Sequence, residues 1–341
     1  MITDSQHYSD IADAIREKLD TQETYEPGDM AEAIESISGG GTVSAPIEIK
    51  EINPLNGKYK KVVVNSQTIP DYAFTGQDEL EEVIGENVTS VGDRAFATIS
   101  NASDASAIIQ NFSRKVRALY ASTSDQFINT SIPIKIKLPN LTSVGPNAFS
   151  KLRKEDDSQY LSNPDFLVFS PEKITQLSEY AFVGYRGRFK IMQNGEEIEP
   201  EALHFDNLTA IPANCFYGAR MQINIECPIL ESVSDFAFDG TSSSQSLQGF
   251  LLGFFAPKMQ NVNMRAFRNQ IYLSKLWIKS GGTVGGEAFK TGSNLDLFTD
   301  ATEWEANWNV NAIDNATCTV HYGATYQDFL DFVPDTETEG A

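Results

Sequence analysis

Acid–base or metal chemistry needs histidine, cysteine or paired carboxylates at short, defined spacing. The histidines are His7, His204 and His321, and none stands near a second ligand at a metal-binding interval. The cysteines, Cys215, Cys227 and Cys318, are an odd, scattered set that makes neither a disulfide framework nor a zinc site. Asp and Glu together number 47, too dispersed for their spacing to mark an acid–base pair. A Gly-rich phosphate loop, a nucleophile elbow and a His-Glu-x-x-His run are absent from the sequence. The expectation is a protein that is not an enzyme and uses no cofactor or metal.

What the chain offers instead is contact chemistry. In Lys275-LWIK, burial of Leu276 and Ile278 would turn Trp277 outward between Lys275 and Lys279. In the same way Phe250, Leu252 and Phe254 would face inward and Leu251, Gly253 and Phe255 outward, and Asp296 and Phe298 would face out of the following strand. Aligned strands would then set Phe255, Trp277 and Phe298 in one aromatic row, with Lys275 and Lys279 beside it. Such a row exposed on a surface suits a protein or sugar partner. A one-residue slip would exchange the two faces, and an insertion or another copy of the chain could cover the row.

These residues need a scaffold that aligns strands, and the sequence supplies one. A six-residue phrase, aliphatic-x-x-x-Ala-Phe, occurs eight times: Ile69-PDYA-Phe74, Val91-GDRA-Phe96, Val144-GPNA-Phe149, Leu177-SEYA-Phe182, Ile211-PANC-Phe216, Val233-SDFA-Phe238, Val262-NMRA-Phe267 and Val284-GGEA-Phe289. Its phenylalanines are 22, 53, 33, 34, 22, 29 and 22 residues apart. A floor of 22 with longer gaps describes one unit copied many times with insertions, and a period of that length marks a solenoid. Short alternating apolar segments precede most phrases, among them Ile134-KIKL, Ile223-NIEC and Leu276-WI, and read as strands with one face buried. Phe127, 22 residues before Phe149, fits a worn copy of the unit. Insertions fall at 99–120, where an amphipathic helix is expected, and at 151–165, 184–201 and 239–249. Asn194-Gly195 predicts a hairpin turn in the third. Trp308 stands where a further Phe would fall.

The rest of the chain frames this array. Residues 1–38 predict a helical hairpin, with Ile11, Ile15 and Leu19 on one stripe and Met30, Ile34 and Ile37 on the other. So small a core calls for a partner, which makes these six residues candidates for oligomerisation or anchoring. Residues 39–44 form a Gly-rich linker, 45–300 the solenoid, 301–333 a cap in which residues 326–332 form a short helix over the open end, and 334–341 a disordered tail. The net charge of −21 argues against nucleic acid, whose affinity comes from basic side chains on phosphates. No apolar run is long enough to span a bilayer, and the polar, acidic start lacks the pattern of a secretory signal.

The phrase V-x-x-x-A-F, with its turn and strand, resembles the BspA-type leucine-rich repeat over residues 60–325. The resemblance implies an α/β repeat solenoid, a right-handed coil with a parallel β-sheet on one face, and a role in adhesion or protein binding without a family-wide active site. Separately, Tyr8-SDIADAIREKL followed by Thr24-YEPGDMAEAI resembles a helical module that begins many tail-associated structural proteins of tailed phages and prophages of gut bacteria. That resemblance implies a virion protein, made in the host cytoplasm, that binds a host protein, a surface glycan or neighbouring virion proteins as part of a larger assembly. The alternative is a bacterial cell-surface adhesin.

Overall fold

The computed structural model of the chain describes residues 47–55, 59–74, 80–97, 135–150, 166–185, 187–219, 223–240, 251–292, 294–314 and 316–333. The chain divides between Pro46 and Ile47, and the second unit carries the repeats. The expected hairpin at 1–38, with Ile11, Ile15, Leu19, Met30, Ile34 and Ile37, lies outside the described residues. So do the linker, Phe127, the expected helix at 99–120, the insertions at 151–165 and 241–249, and the tail at 334–341.

Each coil contributes one longer strand, one two-residue strand (in the coil of Phe289 a single bridging residue, Val284) and the turn that carries Ala-Phe or, once, Cys-Phe. The longer strands form three sheets. The first runs in the order Ile47–Ile52, Tyr59–Val64, Glu82–Ile84, Lys135–Leu138, Phe166–Phe169, Arg188–Gln193, Glu196–Ile198. The second is Ala202–His204, Ile223–Glu226, Leu251–Phe255, and the third is Lys275–Ile278, Leu295–Thr299, Cys318–His321. Pairing is parallel except for the first pair of the chain and the hairpin at Asn194-Gly195. Alternation puts every second side chain inside, so Val62, Val83, Ile136, Leu167 and Phe189 pair in one register and are all buried. The two-residue strands, each ending at the aliphatic residue of a phrase, form a second set of parallel ladders.

The phenylalanines of the eight phrases form one continuous column. Successive rings stack with centroids 5.0–6.3 Å apart from Phe74 to Phe289. Beside them the Ala or Cys of seven phrases, Ala95 to Ala288, is wholly buried. The N–H of each Phe donates to the carbonyl of the residue before Phe (Ala or Cys) in the next coil at 2.8–2.9 Å. A larger side chain at that position would meet the passing backbone, which explains the small residue.

The residue two before each Phe has a positive φ in all eight phrases: Tyr72, Arg94, Asn147, Tyr180, Asn214, Phe236, Arg265 and Glu287, between 51° and 61°. This left-handed conformation costs an L-residue about 1–2 kcal/mol. It stops helical propagation and turns the chain into the Phe within a few residues. Seven of the eight N–H groups donate to the third phrase residue of the next coil at 2.8–3.4 Å, so the stack offsets the strain with a backbone ladder.

Four expectations change here. The solenoid is strand-dominated rather than α/β: the described residues hold 20 strands, one 3-10 turn (Pro171–Lys173) and one α-helix, Tyr326–Asp331, here called α1. Within each phrase only four residues separate the aliphatic residue from the Phe, and the left-handed one interrupts a helical turn. The coils of Phe96 and Phe149, between which a worn copy is expected, are direct neighbours: the two rings stack at 5.4 Å and Val91 pairs with Val144. Trp308 takes the aliphatic position, not the Phe position: it bridges to Val284, and Ala312-Ile313 then stands for Ala-Phe. In the strand Leu251–Phe255 a bulge sets Ile223 opposite Leu251 and Asn224 opposite Gly253, so Leu251 is buried and Leu252 exposed.

Candidate functional site

Alternation turns Phe255, Trp277 and Phe298 away from the coil interior, and Trp277 lies opposite Phe298 in register. They are nevertheless covered. Trp277 and Phe298 keep only 4% and 3% of their surface exposed, in an aromatic cluster separate from the main core. The cover is α1. Phe329, wholly buried, sits 5.8 Å from Phe298 and 5.9 Å from Phe255, Tyr326 meets Trp277 edge-on at 5.4 Å, and Phe332 lies 5.0 Å from Phe298. The expected exposed patch of Phe255, Trp277 and Phe298 is therefore corrected to an occupied one, and the helix expected over the open end lies on the outer sheet face instead. Three aromatic rings on one face are costly to leave in water, and the chain's own next apolar segment removes them from it.

The local sequence explains why a helix of six residues forms there. Thr325 and Asp328 make a reciprocal capping box, in which the Thr325 hydroxyl accepts from the Asp328 N–H and the Asp328 carboxylate accepts from the Thr325 N–H. Hydrogen bonds donated by the Thr325 N–H and hydroxyl hold the Asp328 carboxyl below its ordinary range. Lys275 serves the other end. Its Nζ donates to the carbonyls of Phe329, Leu330 and Phe332 at 2.8, 3.1 and 2.8 Å and lies 5.0 Å over the Phe329 ring. Burial pulls its pKa down, and Asp331 acts the other way. Lys275 thus fastens the helix rather than flanking an open surface, whereas Lys279 is exposed. Burial pushes the Tyr326 hydroxyl up to about 12, with Glu226 and Cys227 adding to the effect. Trp277 Nε1 donates to the Pro257 carbonyl at 3.2 Å.

The same outer face continues on either side. His204 Nδ1 lies 3.1 Å from Glu226 on the next strand, and His321 Nε2 lies 2.7 Å from Asp296 with its ring stacked on Phe298 at 4.2 Å. Each His thus has one carboxylate partner, and the described residues hold no group of three or more His, Cys, Asp or Glu fit for a metal ion. Burial raises the thiols of Cys215, Cys227 and Cys318, the last to about 12, which makes them poor nucleophiles.

A second surface was not legible in the sequence. The side chains of the eight left-handed residues form a ridge along the outside of the turns. At its start Arg94 Nη1 donates to Tyr72 Oη at 3.3 Å and to Asp93 at 2.7 Å, with its guanidinium 5.9 Å from the Tyr72 ring centre. At its end Arg265 lies 5.6 Å over Phe236 and donates to Glu287 at 2.6 Å. Nearby, Arg268 holds the fully buried Asp239 through Nε and Nη2 at 3.0 and 2.6 Å. Burial pushes that carboxyl up, while Arg268 opposes the shift. In the phrases these ridge positions are merely variable, so only the backbone angle reveals them as a set.

Residues 58–185 and 209–303 match the description of the BspA type leucine rich repeat region, in six copies. Among solved structures, a leucine-rich repeat protein from Bacteroides ovatus ATCC 8483 is similar at 16% identity, over 83% of this chain and 71% of that one, with a TM-score of 0.38. No curated protein matches. Among the described residues no helix is long and apolar enough to cross a membrane.

Proposed function

The chain belongs to the BspA type leucine-rich repeat family, and on that premise we propose a non-enzymatic binding protein carried on the tail or another external appendage of a virion. Family membership suggests a protein-binding or adhesin-like role. The observation that carries the reading is the division of labour within each phrase. The aliphatic, Ala and Phe positions build the stack, which leaves the outward positions free to vary from coil to coil at constant spacing. A rigid array of that kind presents an extended surface to a partner.

The virion part of the proposal rests on the likeness of residues 1–38 to the helical module of phage tail-associated proteins. That segment would anchor or oligomerise the chain through Ile11, Ile15, Leu19, Met30, Ile34 and Ile37, and the solenoid would meet a host protein, a surface glycan or a neighbouring virion protein. A bacterial surface adhesin is the second reading, favoured by the same repeats. Induction of prophages in cells that carry the gene, followed by mass spectrometry of gradient-purified particles and of the cell envelope, separates the two. Enrichment in particles supports the virion protein. Recovery in the envelope alone overturns it in favour of the adhesin.

A further inference from the structure

The ridge of left-handed residues divides into two kinds of side chain. Tyr72 and Arg94 at one end, and Phe236, Arg265 and Glu287 at the other, are tied to one another by the ring contacts and hydrogen bonds given above. The middle three, Asn147, Tyr180 and Asn214, make no side-chain hydrogen bond, ion pair or ring contact among the described residues. Yet they adopt the same strained backbone, at φ of 53°, 61° and 56°. Glycine would fit all three positions without strain. Asn is a partial exception, since it tolerates this region better than most residues, but Tyr180 has no such excuse. The angle itself is what every phrase turn requires and the turn ladder supports, so what sets these three apart is a side chain without an internal partner.

The three stand in consecutive coils, because Phe149, Phe182 and Phe216 of the same phrases stack in succession at 5.2 and 5.1 Å. Tyr180 is 40% exposed and central, with an amide one coil away on either side. The phrase residues before them, Gly145-Pro146, Ser178-Glu179 and Pro212-Ala213, are short apart from Glu179. The guanidinium groups of Arg94 and Arg265, on the ridge to either side, are already paired with Asp93 and Glu287. An aromatic face supplies a stacking platform for the C–H side of a sugar ring. Each amide supplies two donors and an acceptor for hydroxyl groups. The absence of an uncommitted cation on the ridge, on a chain of net charge −21, disfavours a polyanion.

We propose that Asn147, Tyr180 and Asn214 form a binding site for a neutral polysaccharide chain, lying along the stack with one sugar on Tyr180 and its neighbours held by the two amides. At a strand spacing of about 4.8 Å the three coils span on the order of 10 Å, the length of a short oligosaccharide. The inference rests on the reading of the solenoid as a binding surface and names the chemistry of one partner.

The test is affinity electrophoresis of the full chain in native gels containing soluble neutral polysaccharides (a glucan, a mannan and a galactan), with polygalacturonate as the anionic control. The neutral site predicts retardation in at least one neutral gel and none in polygalacturonate. Tyr180→Ala should weaken the apparent affinity on the order of tenfold or more, and Asn147→Ala and Asn214→Ala should each weaken it less. Tyr272→Ala, at a residue 50% exposed off the ridge, should leave it unchanged. Tyr180→Gly separates binding from folding, because relief of the left-handed strain should keep or raise the melting temperature while retardation is lost. Unaltered mobility in every neutral gel overturns the proposal. So does retardation that survives Tyr180→Ala. Particle proteomics reports only where the chain is carried, so failure of either test leaves the other result standing.

Discussion

Two aromatic assemblies hold this molecule, one inside the coils and one outside, and they are built on opposite principles. The inner phenylalanine column runs through eight coils, and each ring is buried by a copy of itself at 5.0–6.3 Å. The outer cluster of Phe255, Trp277, Phe298 and Phe329 occurs once among the described residues, and its burial depends on a single six-residue helix. Repetition gives the first redundancy: each ring from Phe96 to Phe267 has two like neighbours and a backbone ladder behind it. The second has one element with two fastenings, the capping box and Lys275. Damage to the column should therefore be global, and damage to the cluster local.

The largest effect belongs to the column. Phe182→Ala should cost about 3–5 kcal/mol, read as a fall in the midpoint of urea unfolding followed by far-UV circular dichroism. An unchanged midpoint would mean that the column is not the core. Phe329→Ala removes a ring of the same size, but a loss of about 3 kcal/mol there falls on the docking of one short helix. Amide exchange in residues 324–333 should rise to that of an undocked segment while amides of the phrase turns stay protected. Exchange that rises in both would erase the distinction between the assemblies. Lys275→Met keeps the aliphatic stem and removes the donors to three carbonyls, for about 1–2 kcal/mol on docking, again confined to exchange in 324–333. The smallest effect is a pH dependence. Hydrogen bonds depress the Asp328 carboxyl in the folded chain, so its contribution is complete above the unfolded value of about 4 and is lost as pH falls through the lower folded value. Protection of α1 should fade in acid below that of the turns, and Asp328→Asn should flatten the difference.

What could be read in the sequence follows the same division. The aliphatic, Ala and Phe positions announced the column because every copy repeats the same demand on a neighbour. The strand faces followed from alternation, so the outward direction of Phe255, Trp277 and Phe298 was legible. Their cover was not, since nothing in Thr325-YQDFLDF states which apolar surface it will meet. The bulge at Leu252 inverted one pair of residues for a related reason: an extra residue in a strand leaves no mark when both candidates are leucine. Spacing misled between Phe96 and Phe149, whose coils are adjacent, and at Trp308, because an insertion can fall in phase by chance and a terminal coil need not keep the residue types of its neighbours. The ridge stayed hidden because Tyr, Arg, Asn, Phe and Glu share no chemistry, only a backbone angle.

The ladder of the phrase turns also bears on how the stack behaves under load. Its hydrogen bonds run from one coil to the next, along the direction in which coils are piled. Tension between the first and last described coils would load these interfaces in series, so extension should proceed by peeling coils one at a time rather than by a single rupture. The long-strand ladder is interrupted twice, between Leu251–Phe255 and Lys275–Ile278, where Val262 still bridges to Val284, and between Glu196–Ile198 and Ala202–His204, where the two-residue strands are unpaired as well. There the turn ladder alone continues across, through Phe182 to Cys215 at 2.8 Å and Gly184 to Tyr217 at 2.8 Å. That junction, held by the turn ladder without either strand ladder, is the expected yield point of the array.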